Sequence, residues 1–236
     1  MQDDDYALYR DWLAQACRSN GVEVWSYCLM PNHVHLILVP SDETGLSRAV
    51  GETHRRYSGY INARLRVTGH LFQGRFGCVA MDESHLMAAF RYVALNPVKA
   101  KLAATAGDWP WSSTPAHLRR EDDGLVTVRP LLDRVESFAE FLEMPADTER
   151  VAALTKGQTI GRPLMDDQEL GELEKRLGRA LRPGKRGGRN DQMHMRVKVE
   201  PTRVRVQDRN RPGGPLALKQ HYSNEKEHPP FQECAS

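Results

Sequence analysis

The chain of 236 residues has no run of about 18 apolar residues, the length a helix needs to cross a bilayer. Its first residues, MQDDDYALYRDW, are acidic where a secretory leader is basic and then apolar, so a cytoplasmic location is expected. Cysteine is sparse. Cys17, Cys28, Cys78 and Cys234 lie far apart with no CxxC spacing, which argues against a zinc cluster or a disulfide framework and for reduced thiols. Internal repeats and a glycine loop able to cradle phosphate are both absent. The net charge of +2 is small because acidic and basic residues nearly cancel, so their distribution says more than their sum.

What is present is enough apolar material, 40% of residues, to build a real core. Tyr6, Tyr9, Leu13 and Ala16 recur at helical spacing before an Asn20-Gly21 stop. Val22 to Met30 then reads as a strand, Pro31-Asn32 as a tight turn and His33 to Val39 as the antiparallel partner. Gly45 to Val67 has a helical period and carries Arg48, His54, Arg55, Arg56, Arg64 and Arg66 interleaved with Tyr57, Tyr60 and Ile61. A further strand is expected from Arg75 to Met81, and a helix beginning after Asp82 and broken at Pro97. WPWSS, Trp109 to Ser113, reads as a packed aromatic turn, and three short helices follow at Asp133–Met144, Ala146–Lys156 and Asp166–Leu177. From about Pro183, glycine, proline and basic residues dominate without period, and disorder is expected.

Two places carry candidate chemistry. In the strand HVHLILVP, alternation sends His33 and His35 to one face and Val34, Leu36 and Leu38 to the other. Such a pair is either two half-buried histidines hydrogen-bonded to neighbours, or two ligands of a metal that needs at least one more. In FRYVALNPVKAK, the stripe Leu86, Phe90 and Val93 leaves Tyr92 and Asn96, at i and i+4, together on another face. Tyr92 and Asn96 are then either a core-edge tyrosine and a helix stop, or a nucleophile and an oxygen ligand. Lys99, at i+7 from Tyr92, lies near the same point if the helix continues past Pro97. No carboxylate stands at ligand spacing around the histidines, which disfavours a metal-dependent hydrolase.

CLMPNHVHLILVP, GHLFQGRF, RYVALNPVKA and DWPWSS, in this order and at these distances, resemble the IS200-like Y1 tyrosine transposases of the HUH superfamily, and more closely the REP-associated tyrosine transposases. The resemblance is strong from Asp4 to Ser113 and looser to about Pro183. It implies that His33 and His35 form the His-hydrophobe-His metal motif, that Tyr92 is the single catalytic tyrosine, and that Asn96 is the polar ligand one turn beyond it. It implies transesterification on single-stranded DNA: a phenolate attacks phosphorus, a 5′-phosphotyrosine forms and a 3′-hydroxyl leaves. Phenols are weak nucleophiles at neutral pH, their pKa lying near 10, so a divalent ion, Mg²⁺ or Mn²⁺, is expected to act on the phosphate as Lewis acid and template. Arg48, Arg55, Arg56, Arg64, Arg66, Arg75 and Lys99 are the expected DNA contacts, with Tyr57 and Tyr60 as stacking platforms. Core packing is the better reading for Phe72, Trp109 and Trp111.

The expected fold is α+β, an antiparallel sheet with packed helices in a ferredoxin-like arrangement. The expected division is a transposase-like domain over 1–115, a helical region over 116–182 and a basic, disordered tail over 183–236. Members of the family open with a strand before the first helix, and this chain starts at the helix. A missing first strand is therefore expected, leaving exposed strand edges beside the histidine hairpin. The activity expected is metal-dependent nicking and rejoining of single-stranded, hairpin-containing DNA, with no membrane partner, by a monomer or homodimer. The alternative is a truncated, catalytically inactive relative that binds nucleic acid.

Overall fold

The computed structural model describes residues 3–72, 76–182 and 216–221, and for 158–160 and 216–221 the backbone alone. The chain opens with α1, Asp3–Ser19, whose apolar stripe is Tyr6, Tyr9, Leu13 and Ala16. Asn20 closes it by donating its side-chain amide to the Ala16 carbonyl, and Gly21 makes the exit at φ 61°, a backbone conformation glycine adopts without a Cβ penalty. The hairpin of β1, Val22–Met30, and β2, His33–Pro40, follows, with Met30 paired to His33 across the Pro31-Asn32 turn. Next come α2, Gly45–Leu65, then β3, Gly77–Ala80, then α3, Glu83–Lys99.

The four strands lie in the order β1-β2-β4-β3, where β4 is Leu216–His221 and every pairing is antiparallel. This is the α+β class, an antiparallel sheet with helices packed on it. Alternation along β2 gives the sheet its two covered faces. Tyr27 is paired with Leu36, and beside it lies Arg10 of α1, so α1 and α2 cover the face of Val34, Leu36 and Leu38. On the other face α3 lies against β1 and β2, and the His35 ring meets Tyr92 of α3. Both faces being covered, Val34 to Val39 are buried without exception.

Beyond α3 the chain passes a 3-10 turn at Ala106–Asp108 and the WPWSS segment, which pairs with the outer edge of β1. Leu29 donates its N–H to the Trp111 carbonyl at 2.8 Å, and Ser113 donates its N–H to the Tyr27 carbonyl at 2.9 Å. Trp111 stacks on Tyr6 at 5.1 Å and Trp109 meets the same ring edge-on, so both are packing residues, as read from the sequence. Short helices follow: α4, Thr114–Arg119; α5, Arg129–Leu132; α6, Phe138–Glu143; α7, Thr148–Ile160; and α8, Asp167–Leu177. They are not detached from the sheet domain. Phe138 of α6 stacks on Phe90 of α3 at 4.9 Å, and Leu164, past α7, exchanges backbone hydrogen bonds with Ala80 and Asp82.

Three expectations change. The helix expected to break at Pro97 runs on to Lys99: proline there removes the N–H that would bond the Val93 carbonyl, and the helix continues for less than a turn beyond it. Ala100 and Leu102 then close it by donating to the Asn96 and Pro97 carbonyls, both at 2.9 Å. Within the tail expected to lack structure, Leu216–His221 is a strand; 183–215 and 222–236 lie outside the described residues. That strand also changes the third expectation, for the edge of β2 that was to stand open is paired from His33 to Leu38.

Candidate active site

The hairpin turn decides where the imidazoles sit. Pro31 sets the turn, Asn32 follows it, and β2 begins at His33, so His33 stands at the mouth of the sheet and His35 one step inward, 1% exposed. Asn32 Oδ1 lies 2.7 Å from His33 Nδ1, and His33 Nε2 lies 3.0 Å from His35 Nε2. The rings meet edge to face at 4.7 Å. A carboxamide oxygen only accepts, so His33 donates its Nδ1–H to Asn32 and keeps a lone pair on Nε2, directed at His35.

From the other side, α3 brings its polar face to the same point. Asp82 caps the helix, accepting the N–H of His85 at 2.8 Å and its Nδ1–H at 2.7 Å. Leu86, Phe90 and Val93 anchor the helix in the core, which turns Tyr92 and Asn96 toward β2. Asn96 is 8% exposed, and its amide lies 2.9 Å from His35 Nε2. Tyr92, half-buried, stands edge-on to His35 with centroids 5.3 Å apart. Because α3 continues through Pro97, Lys99 reaches back and holds its ammonium 4.8 Å from the Tyr92 ring centroid. Burial, and then the charge of Arg91, pull the Lys99 ammonium below the usual lysine range.

The spacing of these donors matches that around a divalent ion. Ligand atoms at right angles on one cation with bonds of about 2.1 Å sit roughly 3.0 Å apart. His33 Nε2 to His35 Nε2 is 3.0 Å and His35 Nε2 to the Asn96 amide is 2.9 Å, two edges of that size sharing a corner. A half-turn of the amide presents Oδ1, an acceptor, in place of Nδ2. Among the described residues no group of three or more His, Cys, Asp or Glu gathers to hold a metal, and the Asn96 amide is the further polar group seen beside the two imidazoles. Two nitrogens and one oxygen with solvent on the outer side make an open set that suits Mg²⁺ or Mn²⁺ chemistry better than a closed zinc site.

His33, His35, Tyr92, Asn96 and Lys99 are thus brought together. The arginines of α2 are not with them, since α2 packs with α1 on the other side of the sheet. Arg64 pairs with the buried Asp5 at 2.5 Å, and Arg56 bonds Gln15 at 2.8 Å while lying over Trp12. Arg48, Arg55 and Arg66 are exposed, and Arg75 lies outside the described residues. Tyr57 is buried against Tyr9, and Tyr60 packs edge-on to Trp12. Sequence reasoning passed over two residues. Asn32, which orients His33, was read only as a turn residue, although its place directly before the histidine was a usable signal. His54, which no sequence spacing pairs with another residue, hydrogen-bonds the Tyr9 hydroxyl through Nε2 at 3.0 Å and stacks on Phe72 at 3.9 Å.

A family model, described as transposase IS200 like, matches residues 1–96, the part of the chain that runs from α1 to Asn96 and contains both imidazoles and Tyr92. Over these residues the chain is similar to the IS200-like transposases. The family implies transposase function, with DNA as the partner, and is generally dependent on a divalent metal. None of the curated proteins and none of the solved structures matches the chain. No helix among the described residues is long and apolar enough to cross a membrane.

Proposed function

We propose that this protein nicks and rejoins single-stranded DNA by transesterification through Tyr92, in the manner of the REP-associated tyrosine transposases. The observation that carries the reading is the convergence of His33 Nε2, His35 Nε2 and the Asn96 amide, neighbouring atoms about 3 Å apart, beside the Tyr92 ring. The Tyr92 oxygen attacks phosphorus, the bond from phosphorus to the 3′-oxygen breaks, and the products are a 5′-phosphotyrosine and a free 3′-hydroxyl. The ester keeps the energy of the broken bond, so a second 3′-hydroxyl can reverse the step and no nucleotide cofactor is consumed.

The chain's own groups have distinct parts in this reading. His33, His35 and Asn96 would hold a divalent cation, which when bound supplies Lewis-acid stabilisation of the scissile phosphate. Asn32 holds the His33 ring in the tautomer whose Nε2 carries the lone pair facing His35. The Lys99 ammonium lies 4.8 Å from the Tyr92 ring centroid, close enough to contact a phosphate brought to that tyrosine. Arg48 and Arg55 on α2 and Arg66 just beyond it are exposed and available to bind DNA, whereas Arg56 and the exposed Arg64 are engaged by Gln15 and Asp5 of α1.

The test is covalent trapping. The protein is incubated with Mn²⁺ and single-stranded oligonucleotides carrying hairpins from the DNA flanking its gene, and denaturation-resistant adducts are mapped by proteolysis. The adduct is expected on Tyr92. Tyr92→Phe should abolish it and leave DNA affinity within about threefold, since only the attacking oxygen is removed. An adduct that persists in Tyr92→Phe, or maps to Tyr57 or Tyr60, overturns the assignment.

A further inference from the structure

The four-stranded order places β4, taken from near the end of the chain, at the centre of the sheet. On one side it pairs with β2 from His33↔His221 to Leu38↔Leu216, and on the other with β3 from Gly77↔Lys219 to Ala80↔Leu216. Among the described residues β2 and β3 do not pair with each other, so the ladder joining them runs through β4. This matters for the site because the two halves of the candidate catalytic group lie on either side of the joint. β2 carries His33 and His35, while β3 leads through Met81 and the Asp82 cap directly into α3, which carries Tyr92, Asn96 and Lys99. Two contacts of β3 and its exit, the Leu164 bonds to Ala80 and Asp82, tie them to the segment after α7 and not to β2.

We infer that Leu216–His221 is a strand supplied in cis by the C-terminal part of the chain that completes the sheet and sets the register between the histidine strand and the tyrosine helix. The slot it fills has an edge on each side, so over Leu216 to Lys219 the strand is paired in both directions, which neither an edge strand nor a docked loop achieves. The occupant is this segment of the same chain, joined to α8 through 178–215. A strand contributed by a second copy is the competing source. The inference rests on the proposed function only for its consequence at Tyr92; the docking of the strand stands on the backbone pairing.

The experiment uses the full chain carrying Val34→Cys and Gln220→Cys, positions that are direct cross-strand partners. Cross-strand partners have Cα atoms about 4.5–5.5 Å apart, within the range a disulfide spans. Mild oxidation should join positions 34 and 220 within a monomer, established by non-reducing electrophoresis and peptide mapping, and should raise the thermal midpoint. Leu218→Pro, which removes a backbone donor from the centre of β4, should lower the midpoint and reduce the yield of the 34–220 disulfide at least tenfold when combined with the cysteine pair. Absence of the 34–220 disulfide overturns the inference, and so does its formation only between two chains, which assigns the strand to a second copy. The two proposals fail separately. Loss of the DNA adduct with the disulfide intact strikes only the role of Tyr92, and an adduct formed without the disulfide strikes only the strand.

Discussion

Asn32 contributes one hydrogen bond, but that bond fixes which nitrogen of His33 carries the proton. Residues that orient a metal-binding imidazole typically cost 10–100-fold in affinity or activity when removed. Asn32→Ala should therefore lower Mn²⁺ affinity, measured by calorimetry, by about tenfold, while leaving the thermal midpoint within about 2 °C, since the side chain is exposed. Asn32→Asp should retain affinity, because a carboxylate accepts the same Nδ1–H; equal losses in both variants would show that the bond is not what matters. At this scale the sequence was legible where periodicity acts. The i, i+2 spacing of His33 and His35 and the i, i+4 spacing of Tyr92 and Asn96 already place each pair on one face. It was not legible for His54, because its partners Tyr9 and Phe72 come from other elements and no local spacing encodes them.

Among the elements, α3 has the most to position, and its start is tied down by one carboxylate. Asp82 accepts the N–H of His85 at 2.8 Å and of Asp166 at 3.0 Å, and the Ser84 hydroxyl at 2.9 Å. Removing an N-cap alone costs about 1 kcal/mol, and the second tether adds to that. Asp82→Ala is expected to destabilise the protein by about 2 kcal/mol in urea unfolding, with Asp82→Asn recovering most of it through the same capping geometry. A loss below about 0.5 kcal/mol would show the tether to be dispensable. The helices and strands to Lys99 follow the sequence pattern closely because each has a clear period and a marked end. The continuation through Pro97 did not, since a proline in the last turn and a proline that ends a helix read alike until the following residues are seen to close on Asn96 and Pro97. The strand Leu216–His221 was invisible for a different reason: LALKQH is short and half polar, without the alternation that marks a strand, and its neighbours β2 and β3 lie far away in sequence.

Over the whole molecule, the junction of α1 and α2 sets an acid limit. Burial between Tyr9 and Phe72 pulls the His54 imidazole down to about 4, against about 6.5 in an unfolded chain. The unfolded state therefore takes up a proton that the folded state refuses. Stability from the neutral ring is complete above about pH 6.5 and is lost as the pH falls toward 4, by up to about 3 kcal/mol. Buried His117, also held below its usual range by desolvation, acts in the same sense. Thermal midpoints measured from pH 7 to 4 should fall in this window, and His54→Phe should flatten the fall; an unaltered slope would assign the acid sensitivity to other groups. Asn96 and Tyr92 are fastened to one stiff rod, four residues apart, while the imidazoles belong to the sheet. Any rigid sliding or tilting of that rod carries the phenol and the amide together relative to the two imidazoles, so both distances change in one movement.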